Sequence, residues 1–361
     1  MMKIVQVMPT ISFGDAVSND AIAIKRALQE MNIKTNIYAE NIDARLPKGI
    51  AQKYDRMPEL NKNDILIYHL STGSMLNYRV AETRARLVVR YHNVTPPAFF
   101  EGYNMQLFSL CEEGLKGAVY LSDKAEYCIA DSEFNKQDLI RMGYTCEIDV
   151  LPILIAFDDY EKKPSNKILR RYGNDDYVNV LFTGRIAPNK KQENVIAAFY
   201  QYQRLFNEKS RLFLVGSYSG TEKYYAKLKG FVEKLGVHNV HFTGHIGFDE
   251  ILGYYKVADL FLCMSEHEGF CVPLPEAMTF NVPIVAYDSC AIKYTLSGSG
   301  FLLLDKDPVV VAEAMQYVLT HDELRKNILK NQRERLEDFQ YEKVKQLLVK
   351  YLHKFMEKAN E

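Results

Sequence analysis

Short runs of consecutive apolar residues alternate with longer segments of helical period along the 361 residues. In the first half the runs fall at Lys3–Val7, Thr35–Ala39, Asp64–Leu70, Leu87–His92 and Tyr127–Ala130. In the second half they recur at Val178–Thr183, Arg211–Val215, Val240–Thr243, Leu260–Met264, Pro283–Ala286 and Phe301–Leu304. Between them lie helical patterns such as Ala21–Met31, where Ile22, Ile24, Ala27, Leu28 and Met31 largely share one face, and Gln192–Phe206, Tyr224–Leu235 and Val309–Leu319. Unbroken apolar strands separated by helices predict parallel sheets covered on both faces. Two such series predict an α/β chain of two doubly wound, Rossmann-like domains. The pattern lapses at Pro152–Asn166, PILIAFDDYEKKPSN, the expected linker. A final amphipathic stretch from Tyr341 carries Val344, Leu347, Leu348, Tyr351, Leu352 and Phe355 on one side, and by pattern alone suits either domain.

Composition narrows the function classes. Lys and Arg (45) nearly cancel Asp and Glu (46), with no block of like charge, so a nucleic-acid-binding stripe is not expected. The opening MMKIVQV is too short an apolar run for a signal peptide and reads as a first buried strand. No segment approaches the ~18 uninterrupted apolar residues of a membrane span. Six cysteines without a C-x-x-C pair fit a reduced, cytoplasmic protein without structural zinc.

Ligands of open parallel sheets bind beyond the carboxyl ends of the strands, so the loops there are the place to look for chemistry. The strongest constellation is Cys263–Ala286, CMSEHEGFCVPLPEAMTFNVPIVA, in which Glu268 and Glu276 are separated by seven residues. Pro275 suits the first position of a short helix, whose free N–H groups would favour a phosphate. Glu268 is placed to accept from sugar hydroxyls and Glu276 from a ribose; alternatively both merely complement a helix start. In VNVLFTGRIAPNKKQENVIAAF, Val178–Phe199, Arg185 follows a strand-end glycine, and Lys190 and Lys191 precede a helix. Converging cations of this kind neutralise a diphosphate, although either alone is also an ordinary solvated residue.

Together SEHEGFCVPLPEAM and GRIAPNKK resemble the retaining glycosyltransferases of family 4, which have the GT-B fold: two Rossmann-like domains facing a cleft. The first loop and helix SFGDAVSNDAIAIKRALQEM, the histidine loop VVRYHNVTPPAFF and the serine loop CIADSEFNKQDL extend the resemblance over nearly the whole chain. The resemblance implies an acceptor-side domain of residues 1–160 plus 341–361 and a nucleotide-sugar domain of residues 161–340. It implies that Arg185 and Lys190 grip the donor diphosphate. Glu268, with the backbone of Gly269, Phe270 and Cys271, would meet the transferred sugar, and Glu276 the ribose. His92 would lie near the donor sugar, Gly14 near the phosphates, and His245 and Ile246 where the base packs. Asp15, Ser71, Thr72 and Ser132 are acceptor-side candidates, Ser71 and Thr72 being equally suited to a capped helix start. Two departures stand out: Lys191 replaces a usual glycine, and Asp15 follows a single glycine where relatives have two or three. His92 taken alone would read as a satisfied histidine beneath a loop.

The D-x-D of Asp305–Asp307 precedes Pro308 and an apolar helix, so Asp307 is expected to cap that helix and not to hold a metal. The expected protein is a metal-independent, cofactor-free hexosyltransferase that moves a sugar from a UDP- or GDP-sugar donor to a glycan or lipid-linked acceptor. A role in bacterial surface polysaccharide synthesis, a cytoplasmic location and peripheral contact with the inner face of the membrane are further implications of the resemblance. The alternatives are a nucleotide-independent glycoside phosphorylase, a nucleotide-sugar epimerase and an inactive nucleotide-sugar-binding protein of the same fold.

Overall fold

The computed structural model describes residues 2–357, and the expected place of 358–361 in the first domain lies outside the described residues. Seven parallel strands form the first sheet: β1 (Lys3–Ile11), β2 (Lys34–Ile42), β3 (Gln52–Lys53), β4 (Ile65–Leu70), β5 (Arg86–Tyr91), β6 (Tyr127–Ala130) and β7 (Glu147–Val150), in the order β3-β2-β1-β4-β5-β6-β7. Six more form the second: β8 (Val178–Thr183), β9 (Ser210–Val215), β10 (Val240–Gly244), β11 (Leu260–Cys263), β12 (Ile284–Tyr287) and β13 (Phe301–Leu303), ordered β10-β9-β8-β11-β12-β13. Both are doubly wound α/β sheets, as the alternating pattern predicts. The apolar runs match eleven of these strands to within a few residues. The two without an apolar run, β3 and β7, are short, partly exposed edge strands.

The chain divides into two compact units. The first comprises Met1–Ala98, Gln106–Ala156 and Asp338–Glu361, and the second Phe99–Met105 and Phe157–Glu337. In the first unit Val5, Val7, Leu66, Tyr68, Val89 and Cys128 pack on one face of the sheet. Ile4, Ile65, Ile67, Val88 and Ile129 pack on the other, against Ile24, Ala27 and Leu28 of the helix Ala16–Glu30. The amphipathic helix Tyr341–Glu357 buries Val344, Leu348, Leu352 and Phe355 in that second layer. In the second unit Val180, Phe182, Leu212, Leu214 and Leu262 meet Val195, Ile196 and Phe199 of the helix Gln192–Leu205.

Phe99–Met105 joins the second unit through side chains that no periodicity marks. Tyr103 lies edge-on to Tyr224 at 5.4 Å and accepts from the Lys227 ammonium at 3.0 Å. The Asn104 amide donates to the Gly220 carbonyl at 2.7 Å. No described helix is long and apolar enough to cross a membrane.

Candidate active site

Three strand ends in the second unit are drawn together by glycine. Gly216 lies at φ 156°, and a Cβ there would fall 1.9 Å from the Gly184 carbonyl oxygen. Gly216 also pairs with Gly244. This approach, which no side chain allows, sets the loop after β8 beside those after β9 and β10. Exposed Arg185 follows Gly184, and its guanidinium donates to the Ser219 carbonyl at 3.2 Å.

Lys190 closes the short 3-10 turn Pro188–Lys190, and its ammonium stands 2.6 Å from Glu268 Oε2. The contact is fixed by the loops' own backbones: Glu266 N–H donates to the Asn189 carbonyl at 2.9 Å, and the Asn189 amide to the His267 carbonyl at 3.1 Å. Burial opposes the charge on Lys190, but the Glu268 carboxylate outweighs it and leaves the ammonium's pKa raised. A strand-end cation and a buried carboxylate, far apart in sequence, thus form one polar centre.

Lys191 adopts the left-handed conformation (φ 52°) that explains a preference for glycine at this position. Its ammonium pairs with Glu266 at 3.2 Å, and Lys306 pairs with the same carboxylate. Both cations push Glu266 below its ordinary range, overcoming the upward push of burial.

The helix carrying Glu276 is Pro273–Thr279, so it starts two residues before Pro275, and Glu276 still lies in its first turn. Both carboxylate oxygens are engaged: Tyr160 donates to Oε1 and Tyr255 to Oε2, each at 2.6 Å. The Thr183 hydroxyl is 2.5 Å from that of Tyr255. Burial raises the Glu276 pKa despite these two bonds. Sequence reasoning missed Tyr160, Tyr255 and Thr183. Nothing distinguishes two tyrosines among 24 until the fold brings them to the carboxylate. Cys271, beside Glu268 in sequence, is buried at φ 70°, and Phe270 is buried, its carbonyl accepting from Thr295 at 2.5 Å. Exposed His245 and half-buried Ile246 follow β10.

In the first unit Gly14 sits at φ 74° with open space around it. Asp15 does not stand free for an acceptor: its carboxylate caps the helix Ala16–Glu30, accepting from Ser18 N–H and hydroxyl at 2.9 and 2.8 Å. Ser132 likewise caps the helix Glu133–Arg141, accepting from Asn135 N–H at 3.2 Å. Ser71 and Thr72 follow β4, half-buried. Asp307 caps the helix Pro308–Thr320 as its spacing predicts, accepting from Val309 and Val310 N–H.

His92 lies where β5 ends, but its imidazole turns into the unit, with side-chain exposure of 1%. Nδ1 is 3.0 Å from Asp131 and Nε2 2.8 Å from His69 Nδ1.

Two sets of described side chains bring metal-capable atoms within 4.8 Å of one another: Asp20, His69 and His92, and Cys263, Glu268 and Cys271. In each, a protein cation already pairs with the carboxylate. Arg90 is 3.0 Å from Asp20 and Lys190 2.6 Å from Glu268, so a metal would displace an ion pair at once.

With this geometry in place, the chain can be set beside known proteins. Residues 165–335 match the family of glycosyl transferases group 1. That group 1 segment holds Arg185, Lys190, Glu268 and Glu276. An uncharacterized glycosyltransferase of Methanocaldococcus jannaschii is 28% identical over 48% of this chain and 47% of its own. The D-inositol 3-phosphate glycosyltransferase of Corynebacterium jeikeium is 26% identical over 56% of this chain and 51% of its own. These matches span about half the length of the curated relatives. Over the whole chain the fold is GT-B: Anabaena HepE in complex with UDP-glucose superposes with a TM-score of 0.77 at 17% identity, covering 98% of this chain and 100% of that one. WaaG, a glycosyltransferase involved in lipopolysaccharide biosynthesis, gives 0.71 at 16% identity over 95% and 99%.

Proposed function

We propose that the protein is a retaining glycosyltransferase that moves a hexose from a UDP- or GDP-sugar to a glycan or lipid-linked acceptor without a metal ion, in the assembly of bacterial surface polysaccharide. The observation that carries this reading is the Lys190–Glu268 pair, its carboxylate buried and its lysine on the same loop as the strand-end Arg185, within the group 1 segment. An E-x7-E stretch folded against a G-R…K loop supplies the two functions a nucleotide-sugar donor needs. Cations meet its diphosphate, and carboxylates meet its hydroxyls.

Arg185 and Lys190 stabilise charge that develops on the departing diphosphate, where losing one aligned group commonly costs about 3 kcal/mol of barrier. Glu268 holds Lys190 in place and accepts from the transferred sugar. Glu276, buttressed by Tyr160 and Tyr255, accepts from the ribose through its remaining lone pairs. For retention, the acceptor attacks the face from which the diphosphate leaves, and a leaving phosphate oxygen takes the acceptor proton, so the protein supplies no base. Protein cations perform the charge neutralisation that a metal would otherwise provide.

The test is a thermal-shift panel of UDP- and GDP-sugars with EDTA throughout, since a ligand bound only by the folded state raises the melting point by mass action. A shift with one donor in EDTA supports the reading and identifies the base. A shift that appears only with Mg²⁺ refutes metal independence. Sugar phosphate formed from a glycoside and inorganic phosphate without nucleotide would replace transfer by phosphorolysis.

A further inference from the structure

A buried polar cluster at the carboxyl ends of β1, β4, β5 and β6 fixes the protonation of its histidines by donor and acceptor bookkeeping. The Gln6 amide N–H donates to the Ala21 carbonyl at 3.1 Å, which leaves Gln6 Oε1 as an acceptor. His69 Nε2 is 2.8 Å from that oxygen and must donate to it. Burial pushes the His69 pKa well below the ordinary imidazole range. His69 is therefore neutral, and its Nδ1 is a lone pair. His92 Nε2, 2.8 Å away, must supply the proton between the rings. The rings lie within 6° of coplanarity, so that proton sits in both ring planes.

At its other nitrogen His92 faces a carboxylate: Asp131 Oδ2 is 3.0 Å away, while Asp131 Oδ1 is 2.9 Å from Arg90. The Arg90 guanidinium on the other oxygen favours the carboxylate form of Asp131, which only accepts, so His92 Nδ1 donates as well. The charges agree. One Arg90 guanidinium faces a carboxyl oxygen of both Asp20 and Asp131, at 3.0 and 2.9 Å, and supplies a single positive charge to the two. Asp20 Oδ2 is also 3.9 Å from His92 Nε2. Burial tends to raise the Asp20 pKa, but Arg90 and then His92 outweigh it and keep it ionised. Two negative charges against one guanidinium leave one unbalanced unless His92 is a cation. Unbalanced buried charge is costly.

We infer that His69 is a positioning residue that locks His92 as a doubly protonated imidazolium between a neutral imidazole and Asp131. The consequence rests on the transferase reading above. An imidazolium with both N–H groups committed has no lone pair, so His92 acts neither as nucleophile nor as base, and the acceptor proton goes to the leaving phosphate. The role of His92 is to hold the loop after β5 at fixed charge. This function could not be assigned from His92 alone, because its partner arrives from β4, 23 residues earlier.

The experiment is long-range ¹H–¹⁵N NMR of the full chain labelled at histidine nitrogen, at pH 7, with His92 assigned by the signals missing from His92→Gln. Two protonated, pyrrole-type nitrogens on His92 and one pyridine-type nitrogen on His69 are expected. A pyridine-type nitrogen on His92 overturns the inference whether or not the protein transfers sugar. A turnover series separates positioning from mere support of the fold. In His69→Phe, kcat should fall about tenfold, the order expected for one charge-assisted hydrogen bond, with the donor KM unchanged. His69→Gln, whose amide oxygen can still accept from His92, should recover most of kcat. Equal losses in both variants, or a loss confined to KM, would refute the positioning role. Absence of any transfer in the unaltered protein would instead sink the proposed function and leave the NMR result to stand.

Discussion

Breaking the Lys190–Glu268 pair tests whether the centre is a coupled ion pair or two independent surface charges. The Glu268 side chain is 7% exposed, that of Lys190 22%, and the atoms are 2.6 Å apart. Removing one partner strands the other in a poorly hydrated site, which costs about 3–5 kcal/mol for a fully buried pair. The residual exposure of Lys190 admits some water, so about 2–3 kcal/mol is expected here. Lys190→Met and Glu268→Gln should each lower the unfolding free energy by about that amount, read from urea denaturation at unchanged m-value. The double variant should lose about 2 kcal/mol less than the sum of the single losses, because the stranded charge is gone. All three variants should lose transfer by about 100-fold or more. Additive stability losses within about 0.5 kcal/mol would refute the coupling, and with it the claim that Glu268 positions the diphosphate-binding lysine.

Three other perturbations separate site from scaffold. Arg185→Ala, at an exposed strand-end position, should cut transfer about 100-fold while the denaturation midpoint stays nearly unchanged; a matching stability loss would make Arg185 structural. Glu276 has a pKa raised by burial, so its folded form holds its proton more tightly than the unfolded chain does. It therefore favours folding most fully below the ordinary glutamate value of 4.5, and that contribution is lost as pH rises through the folded pKa. Glu276→Gln should show less decline across this rise and bind donor more weakly, in paired denaturation and thermal-shift series; an unchanged pH dependence would deny the shift. Gly216→Ala, with a Cβ 1.9 Å from the Gly184 carbonyl, should lower stability by several kcal/mol, more than the roughly 1–3 kcal/mol of ordinary overpacking, or abolish soluble expression, whereas Gly236→Ala, with nothing within 4 Å of the added Cβ but a φ of 64°, should cost only the smaller left-handed strain.

Much of the scaffold was legible because strands buried on both faces leave unbroken apolar runs, as in Leu260–Cys263 and Ile65–Leu70. β7, Glu147–Val150, left no such trace because it is an edge strand that alternates charged and apolar residues. Within the site, local motifs were visible and tertiary partners were not. Glu268 and Glu276 stand seven residues apart in one stretch, and Arg185 and Lys190 share one loop. Tyr160, 116 residues from Glu276, carries no local mark, and neither does His69 as the partner of His92. Caps were readable as alternatives but not as decisions. Ser132, an acceptor candidate by sequence, carries no visible mark of the helix start at which it accepts from the Asn135 N–H. Asp15, which follows a glycine in a functional loop, proved to be a cap because Ser18 lies three residues on.

The excursion of Phe99–Met105 has a consequence for anyone who would cut this molecule in two. The polypeptide passes between the units at residues 98/99, 105/106, 156/157 and 337/338, so neither unit is a single excisable stretch. A fragment spanning residues 157–337 would contain every strand of the second sheet yet lack Tyr103 and Asn104. Tyr224, fully buried in the intact chain, would lose the ring that covers its edge, and the Gly220 carbonyl its amide donor. Such a fragment carries a raw aromatic face into solution and invites self-association. Grafting this second unit onto another scaffold therefore requires that the visiting seven residues travel with it, or that the exposed tyrosine be replaced by a polar side chain.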